Sequence, residues 1–278
     1  MHKCLNLFRT NRFKKLSTMI GCIIQARMGS LRLPGKVMKK IDETYVLLDY
    51  VIRQIQSSKK IEKIVVATST LSEDDIICNH LSSNHVEFFR GSSKDVLDRY
   101  FQCAKEFSLD TIVRITADNP LIEPNIVDLV IDKFCSQKCD YVTNSMPRTF
   151  PYGTEVEVFS FHSLEKVWKN AIKPSEREHV TPYFYNNPDI FKIINVEYSK
   201  NISNLRWTVD RKNDLELVRI IASKIISRPI LLNDILTLYS KEPILFQSNK
   251  PIIPNEGYLK SLEEDKEFEI RKEMNEKI

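Results

Sequence analysis

The sequence predicts an α/β protein, a three-layer α/β/α sandwich around a mostly parallel mixed sheet. Short β-branched apolar runs recur between longer stretches of helical periodicity, the alternation that builds such sheets. At 278 residues with 42% apolar content, the chain suffices for one large domain plus an appendage. Capping signals punctuate the starts of several helical stretches.

The elements follow in order. Strands are expected near 20–26, 63–68, 86–89, 110–116 and 140–144, with helices near 46–57, 73–83, 93–107 and 124–137 between them. Ser72 with Asp75, and Ser92 with Asp95, have capping-box spacing, and Pro124 opens the fourth helix after Glu123. Right-handed crossovers would bring the strand ends to one edge, where ligands bind in this class. After Pro147 to Gly153 the pattern changes. Thr154 to Phe159 alternates polar and apolar residues as a half-exposed strand does, and such a strand can line a site. Helices near 160–171 and 176–187, strands near 191–197 and 204–209, and a helix over 211–226 complete the domain, with Ser175 and Glu178 as a further capping pair. Beyond Arg228-Pro229 come an apolar helix near 231–240, a linker with Pro243, Pro251 and Pro254, and from Tyr258 a Glu/Lys stretch that reads as a solvated or partner-packing helix. The expected organisation is a basic leader over 1–18, a main domain over 19–227 and a helical extension over 228–278.

Charge is local rather than global. Lys3, Arg9, Arg12, Lys14 and Lys15 stand in the leader with no acid, and removing those five cations from the formal net charge of +4 leaves −1. That excludes a general argument for nucleic-acid binding. The leader reads as a disordered or mis-started extension before Met19; a transit peptide shares its composition, whereas a secretory signal would need an apolar core. No stretch approaches a membrane span. The six cysteines are scattered, and Cys135 with Cys139 alone is a poor zinc signal, so buried reduced thiols in a cytoplasmic protein are expected.

The chemistry-bearing features begin with Arg27 to Lys36, directly after the first apolar run. Gly29 and Ser30 allow close backbone approach to oxygen atoms, while Arg27, Arg32 and Lys36 concentrate positive charge. The loop reads as a polyphosphate cradle, although it is neither a Walker A sequence nor GxGxxG. Asp118 follows the run Val113 to Ala117, and Asp210 follows Arg206 to Val209. Two carboxylates at the ends of separate strands suit Mg²⁺ held against a phosphate, whereas a lone Asp there is an ordinary turn residue.

These segments resemble the cytidylyltransferases that make CMP-activated sugars, in particular the branch named for spore coat polysaccharide biosynthesis protein F. Arg32-Leu33-Pro34-Gly35-Lys36 is similar to a stretch of the CMP-KDO synthetases. Val65 to Thr68, Arg90-Gly91 through Asp98-Arg99, Pro151 to Phe159, Ser175 to Pro182 and Leu205 to Asp210 extend the likeness from about Ile20 to Ala222. Thr116 replaces a glutamine of the synthetase pattern and Asn119 an acid, which puts base contacts in doubt more than phosphate contacts.

The resemblance implies a nucleotide-diphospho-sugar transferase-like fold and transfer of CMP from CTP to a small anionic sugar, phosphate or phosphonate, with Mg²⁺ as cofactor and a homodimer as the assembly. It implies catalysis by Arg32, Lys36, Asp118 and Asp210, with the two acids holding the metal. Ala26, Arg27, Gly29, Ser30, Arg32, Lys36, Thr68, Arg90, Gly91 and Thr116 would bind the nucleotide, and Asp95 is read as a helix cap. Arg148, Glu155, Glu157, Arg177 and His179 would bind the acceptor, with His179 also a candidate base. Two other readings stand beside this one. A nucleotide-sugar-dependent glycosyltransferase of the same fold would carry a DxD pair, where this chain has Ala117-Asp118-Asn119. A silent scaffold would not need intact cations and acids.

Overall fold

The computed structural model describes residues 18–249 and 256–276. The expectations for residues 1–17, Cys4 among them, and for Pro251 and Pro254 lie outside the described residues.

Seven strands form one sheet in the order β3-β2-β1-β4-β6-β5-β7. They are β1 (Ile20–Gln25), β2 (Lys63–Ser69), β3 (Phe88–Gly91), β4 (Thr111–Thr116), β5 (Tyr141–Thr143), β6 (Glu157–Ser160) and β7 (Ile193–Asn195). β1 pairs in parallel with β2 and with β4, β2 with β3, and β5 with β7, while β6 runs antiparallel to β4 and β5. The mostly parallel mixed sheet is therefore as the sequence predicts.

Side chains alternate between two cores, as the strand period requires. Cys22, Ile24, Val66, Val113 and Ile115 face one layer, and Ile23, Val65, Ala67 and Ile112 face the other. The first layer holds α1 (Leu47–Ile55), α2 (Asp75–Ser83), α4 (Pro124–Ser136), α8 (Lys212–Lys224) and α9 (Leu232–Lys241). The second holds α3 (Val96–Glu106), α5 (Phe161–Asn170), α6 (Pro174–His179) and α7 (Pro182–Asn186). A last helix, α10 (Glu256–Glu276), packs on α6. Chain order reverses between β1 and β4, so the crevice at their carboxyl ends is a topological switch point.

Several local expectations are corrected. No strand forms over 204–209: that segment makes a single bridge, Arg206 with Tyr152. Pro151 has no N–H, and Gly153 at φ 101° turns the chain away, so the ladder cannot extend. The segment is fixed instead on the second residue after β4, where Val209 N–H donates to the Asp118 carbonyl at 2.8 Å. β6 begins only at Glu157 and is an inner strand rather than a half-exposed one. The helix expected over 176–187 breaks in two, because Val180 adopts φ 71° and Pro182 cannot donate to a preceding turn.

Capping also differs. Glu176, not Glu178, returns to the Lys173 N–H at 3.1 Å, and Ser72 sits in a short 3-10 turn ahead of α2. Asp95 does cap α3, accepting from Asp98 N–H at 2.8 Å. Among the described cysteines, Cys22, Cys78 and Cys103 are buried free thiols, with burial pushing each thiol's pKa up, whereas Cys135 is exposed.

The segment expected as an extension after residue 228 contributes Ile230, Leu232, Ile235 and Leu238 to the first core. Gln54 of α1 clamps it, donating to the Ile230 carbonyl at 2.7 Å and accepting from the Ile230 N–H at 2.8 Å.

Candidate active site

The loop after β1 turns back through Gly35, whose φ of 65° is a left-handed conformation that glycine adopts without strain. A 3-10 turn over Lys36–Met38 follows and directs Lys36 beneath the sheet edge. The Lys36 ammonium donates to Asp118 at 2.9 Å, to Asp210 at 3.1 Å and to the Val209 carbonyl at 2.8 Å. Burial alone would lower its pKa; the two carboxylates outweigh that and raise it. Both acids thus converge on one cation.

Asp210 is the electrostatic centre of the cleft. Arg32 donates to it at 2.6 Å and Arg206 at 2.8 Å, besides Lys36. Burial would raise its pKa, but these three cations hold the carboxyl well below the usual carboxylate range. Its backbone is fixed by Asp214, which accepts from the Asp210 N–H at 2.8 Å and the Arg211 N–H at 2.7 Å at the start of α8. Thr116 aims Asp118 by donating to it at 2.5 Å, and Asn119 donates to Thr116 at 3.2 Å.

A cavity of about 500 Å³ opens over these groups, lined by Arg32, Thr116, Asp118 and Asp210 on one side and by Arg148, Tyr152, Glu155 and Glu157 on the other. Arg148 pairs with Glu155 and lies over the Tyr152 ring at 3.9 Å. Glu155 also accepts from Asn119 at 3.1 Å and the Gly153 N–H at 2.9 Å. Glu157 forms the floor. Its carboxylate accepts from Arg114, Tyr141 and, at 2.7 Å, Thr181, so a buried ion pair whose carboxylate side is well hydrogen-bonded supports the pocket.

A second cavity of about 120 Å³ lies beside the first, lined by Gln25, Ala26, Arg27, Val96, Arg99, Glu178 and His179. His179 lines both. Burial lowers its pKa, the Arg114 and Arg27 charges add to this, and Glu178 opposes it, so the imidazole is neutral at neutral pH.

Some predicted residues do not meet in the cleft. Arg177 points to α3, donating to Asp95 and to the Trp168 carbonyl at 2.9 Å. Arg90 clamps the loop after β2 through the Ser69 and Leu71 carbonyls at 3.1 and 3.0 Å and pairs with Asp75. Gly91 is needed for packing: a Cβ there would lie 2.9 Å from the Arg99 side chain. Thr68 is buried in β2, opposite Arg90. Gly29 and Ser30 stay in the β1 loop and line neither cavity; Ser30 Oγ accepts from the Leu33 N–H at 3.4 Å.

Sequence reasoning missed Arg99, Arg114, Arg206, Asp214 and the first turn of α10. Arg99 is 1% exposed, and its Nε has no hydrogen-bond partner among the described residues. Its signal was its place at the end of the Arg90–Arg99 motif. Arg206 and Asp214 stand four residues either side of Asp210, a helical spacing unremarkable before a strand is excluded there. Glu256, Gly257 and Tyr258 line the larger cavity, although nothing local in their sequence marks them.

The donor set suits a magnesium ion. Among the described residues no group of three or more His, Cys, Asp or Glu side chains converges. Two convergent carboxylates that leave positions for substrate phosphates are nevertheless the usual protein share of a Mg²⁺ site.

Comparisons with known proteins bear on the family and the fold. The chain is 41% identical over 197 residues to an uncharacterized protein of Methanocaldococcus jannaschii, covering 70% of this chain and 79% of that one. It is 32% identical over 231 residues to spore coat polysaccharide biosynthesis protein SpsF of Bacillus subtilis, covering 80% and 94% respectively. A solved cytidylyltransferase from Leptospira borgpetersenii superposes with a TM-score of 0.80 at 34% identity, over 84% of this chain and 99% of that one. CMP:2-keto-3-deoxy-manno-octonic acid synthetase, solved with CTP, shares the fold at a TM-score of 0.57 and 15% identity, over 74% and 98%. The family model described as cytidylyltransferase matches residues 21–263, past Ala222, where the sequence likeness was expected to stop. With a match of that length and a Lys36–Asp118–Asp210 cluster at the switch point of the sheet, the chain belongs to the cytidylyltransferase family.

Proposed function

We propose that the protein transfers CMP from CTP to a small anionic acceptor, a sugar acid, phosphate or phosphonate, releasing pyrophosphate in the synthesis of a surface polysaccharide or glycoconjugate. The observation that carries this reading is the Lys36 ammonium held between Asp118 and Asp210 within 3.1 Å, with Arg32 and Arg206 on the same carboxylate. Phosphoryl transfer needs little covalent chemistry; it needs positioned phosphates and compensated charge. CTP is the nucleotide in a solved relative of the same fold, and the SpsF relative's name supplies the polysaccharide context.

In this reading Asp118 and Asp210 hold Mg²⁺, which supplies Lewis-acid polarisation of the phosphate when bound. Lys36 and Arg32 neutralise the departing pyrophosphate. Thr116 and Asp214 keep the two acids aimed, and the buried Arg114–Glu157 pair keeps the pocket floor rigid. Arg148, Glu155 and Tyr152 face the acceptor. His179, neutral and shared by both cavities, serves as a hydrogen-bonding group between nucleotide and acceptor rather than as a cation. The Ala117-Asp118-Asn119 sequence and the family match favour nucleotidyl over glycosyl transfer. A homodimer and a cytoplasmic location go with the same reading; no described helix is long and apolar enough to cross a membrane.

Calorimetric titration with CTP tests the proposal. Binding that strengthens with Mg²⁺ and exceeds that of UTP is expected; no CTP binding with or without the ion would refute it.

A further inference from the structure

α10 reaches the site by an unusual route. Its inward stripe of Tyr258, Ser261, Leu262 and Asp265 has two buried members, and both are polar. Asp265 accepts from the Ser175 N–H at 2.8 Å and its hydroxyl at 2.5 Å, and so holds the first turn of α6. Ser261 Oγ lies 3.0 Å from both Glu178 and His179 Nε2. Tyr258 meets the His179 ring edge-on at 5.3 Å. Leu259, Ile270 and Met274 remain exposed, and the apolar Tyr258, Leu262 and Phe268 are only half-buried, so the fully buried part of this contact is polar.

These anchors deliver Glu256 to the mouth of the larger cavity. Its carboxylate lies 3.4 Å from Arg32 and 3.3 Å from Arg211. For Arg211 this is its one described ion pair, while Arg32 also reaches Asp210. Two guanidinium groups on one carboxylate form the arrangement that recognises phosphate. The contacts are longer than close charge-assisted bonds, and all three side chains are over a third exposed, so the carboxylate holds its place weakly.

We infer that Arg32 and Arg211 form a phosphate subsite at the cleft mouth, which Glu256 of α10 occupies in cis and yields to a substrate or product phosphate. This deepens the nucleotidyl-transfer reading and rests on it for the identity of the phosphate. A polyphosphate carries more charge than one carboxylate and would displace it. Release of the first turn would then shift Tyr258 against His179, coupling occupancy of this subsite to the wall of the acceptor pocket.

The probe is inorganic pyrophosphate, titrated calorimetrically into the full-length protein without divalent cations. Glu256→Gln should bind pyrophosphate about three- to tenfold more tightly than the unaltered chain, since a competing charge is removed. The double variant Glu256→Gln with Arg211→Gln should lose that gain, and Glu273→Gln, a charge-matched change elsewhere on α10, should show none. Unchanged or undetectable binding in Glu256→Gln, an equal gain in Glu273→Gln, or a gain that survives loss of Arg211 would overturn the proposal. CTP titration with Mg²⁺ on the same samples separates the two readings. Pyrophosphate gain without CTP binding keeps the subsite and removes the cytidylyl assignment; CTP binding without the gain does the reverse.

Discussion

His179 shows how one residue's surroundings set its chemistry. In isolation it reads as a candidate base; in place, burial and two neighbouring arginines depress its pKa, and its ring is spanned by Ser261 and Tyr258. A depressed folded-state pKa means that, below the ordinary value of 6.5, the unfolded chain binds more protons than the folded one. The His179 contribution to stability is therefore lost as pH falls through about 6.5 toward its folded value. Denaturant melts at pH 7.5 and 5.5 should show a smaller acid-induced loss in His179→Gln than in the unaltered chain; an equal loss would contradict the assignment. Asp210 is also shifted downward, but by paired cations rather than by burial. Its three cations keep it ionised throughout this range, so its charge does not contribute to that difference.

At the scale of elements, the way Asp210 reaches Asp118 was only half legible. Both acids follow apolar runs, and both were expected to end strands. Only Asp118 does, because the 205–210 segment meets Tyr152 at one bridge and then docks on the Asp118 carbonyl. The cause is Gly153: at φ 101°, with a would-be Cβ 2.8 Å from the Thr208 nitrogen, it forces a backbone approach that no side chain permits. Whether a glycine takes positive φ depends on the buried Trp207 beside it, a tertiary contact that periodicity does not encode. Gly153→Ala should cost about 1–3 kcal/mol of unfolding free energy and lower turnover by displacing Asp210. Chemical denaturation would check it, and a loss below about 0.5 kcal/mol would argue against the tight approach. The split of the 176–187 helix has a similar origin. Pro182 was visible, but the positive φ of Val180 that places His179 at the pocket was not.

At the scale of the whole molecule, the alternation of β-branched runs and helical stretches revealed the sheet, its layers and the loop after β1. The C-terminal contribution stayed hidden, because Glu256 and Tyr258 enter the cleft only through the polar docking of α10 on α6. That docking sets a stability gradient. α1 is buried within the first core, whereas α10 is mostly solvated, so its amides should exchange by local opening well before those of α1. Native-state hydrogen exchange should show this difference, and Asp265→Ala should widen it; equal protection of both helices would contradict a polar, separable dock.

The two convergent acids are the charge-handling centre of the proposed CMP transfer. Pyrophosphate release from CTP and Mg²⁺ across a panel of sugar acids, phosphates and phosphonates, with Asp118→Asn in parallel, tests that role. Release with at least one acceptor is expected, with a loss of about 10²–10³-fold in the variant while it remains folded by circular dichroism. Normal release from Asp118→Asn, or no release with any acceptor, would contradict it.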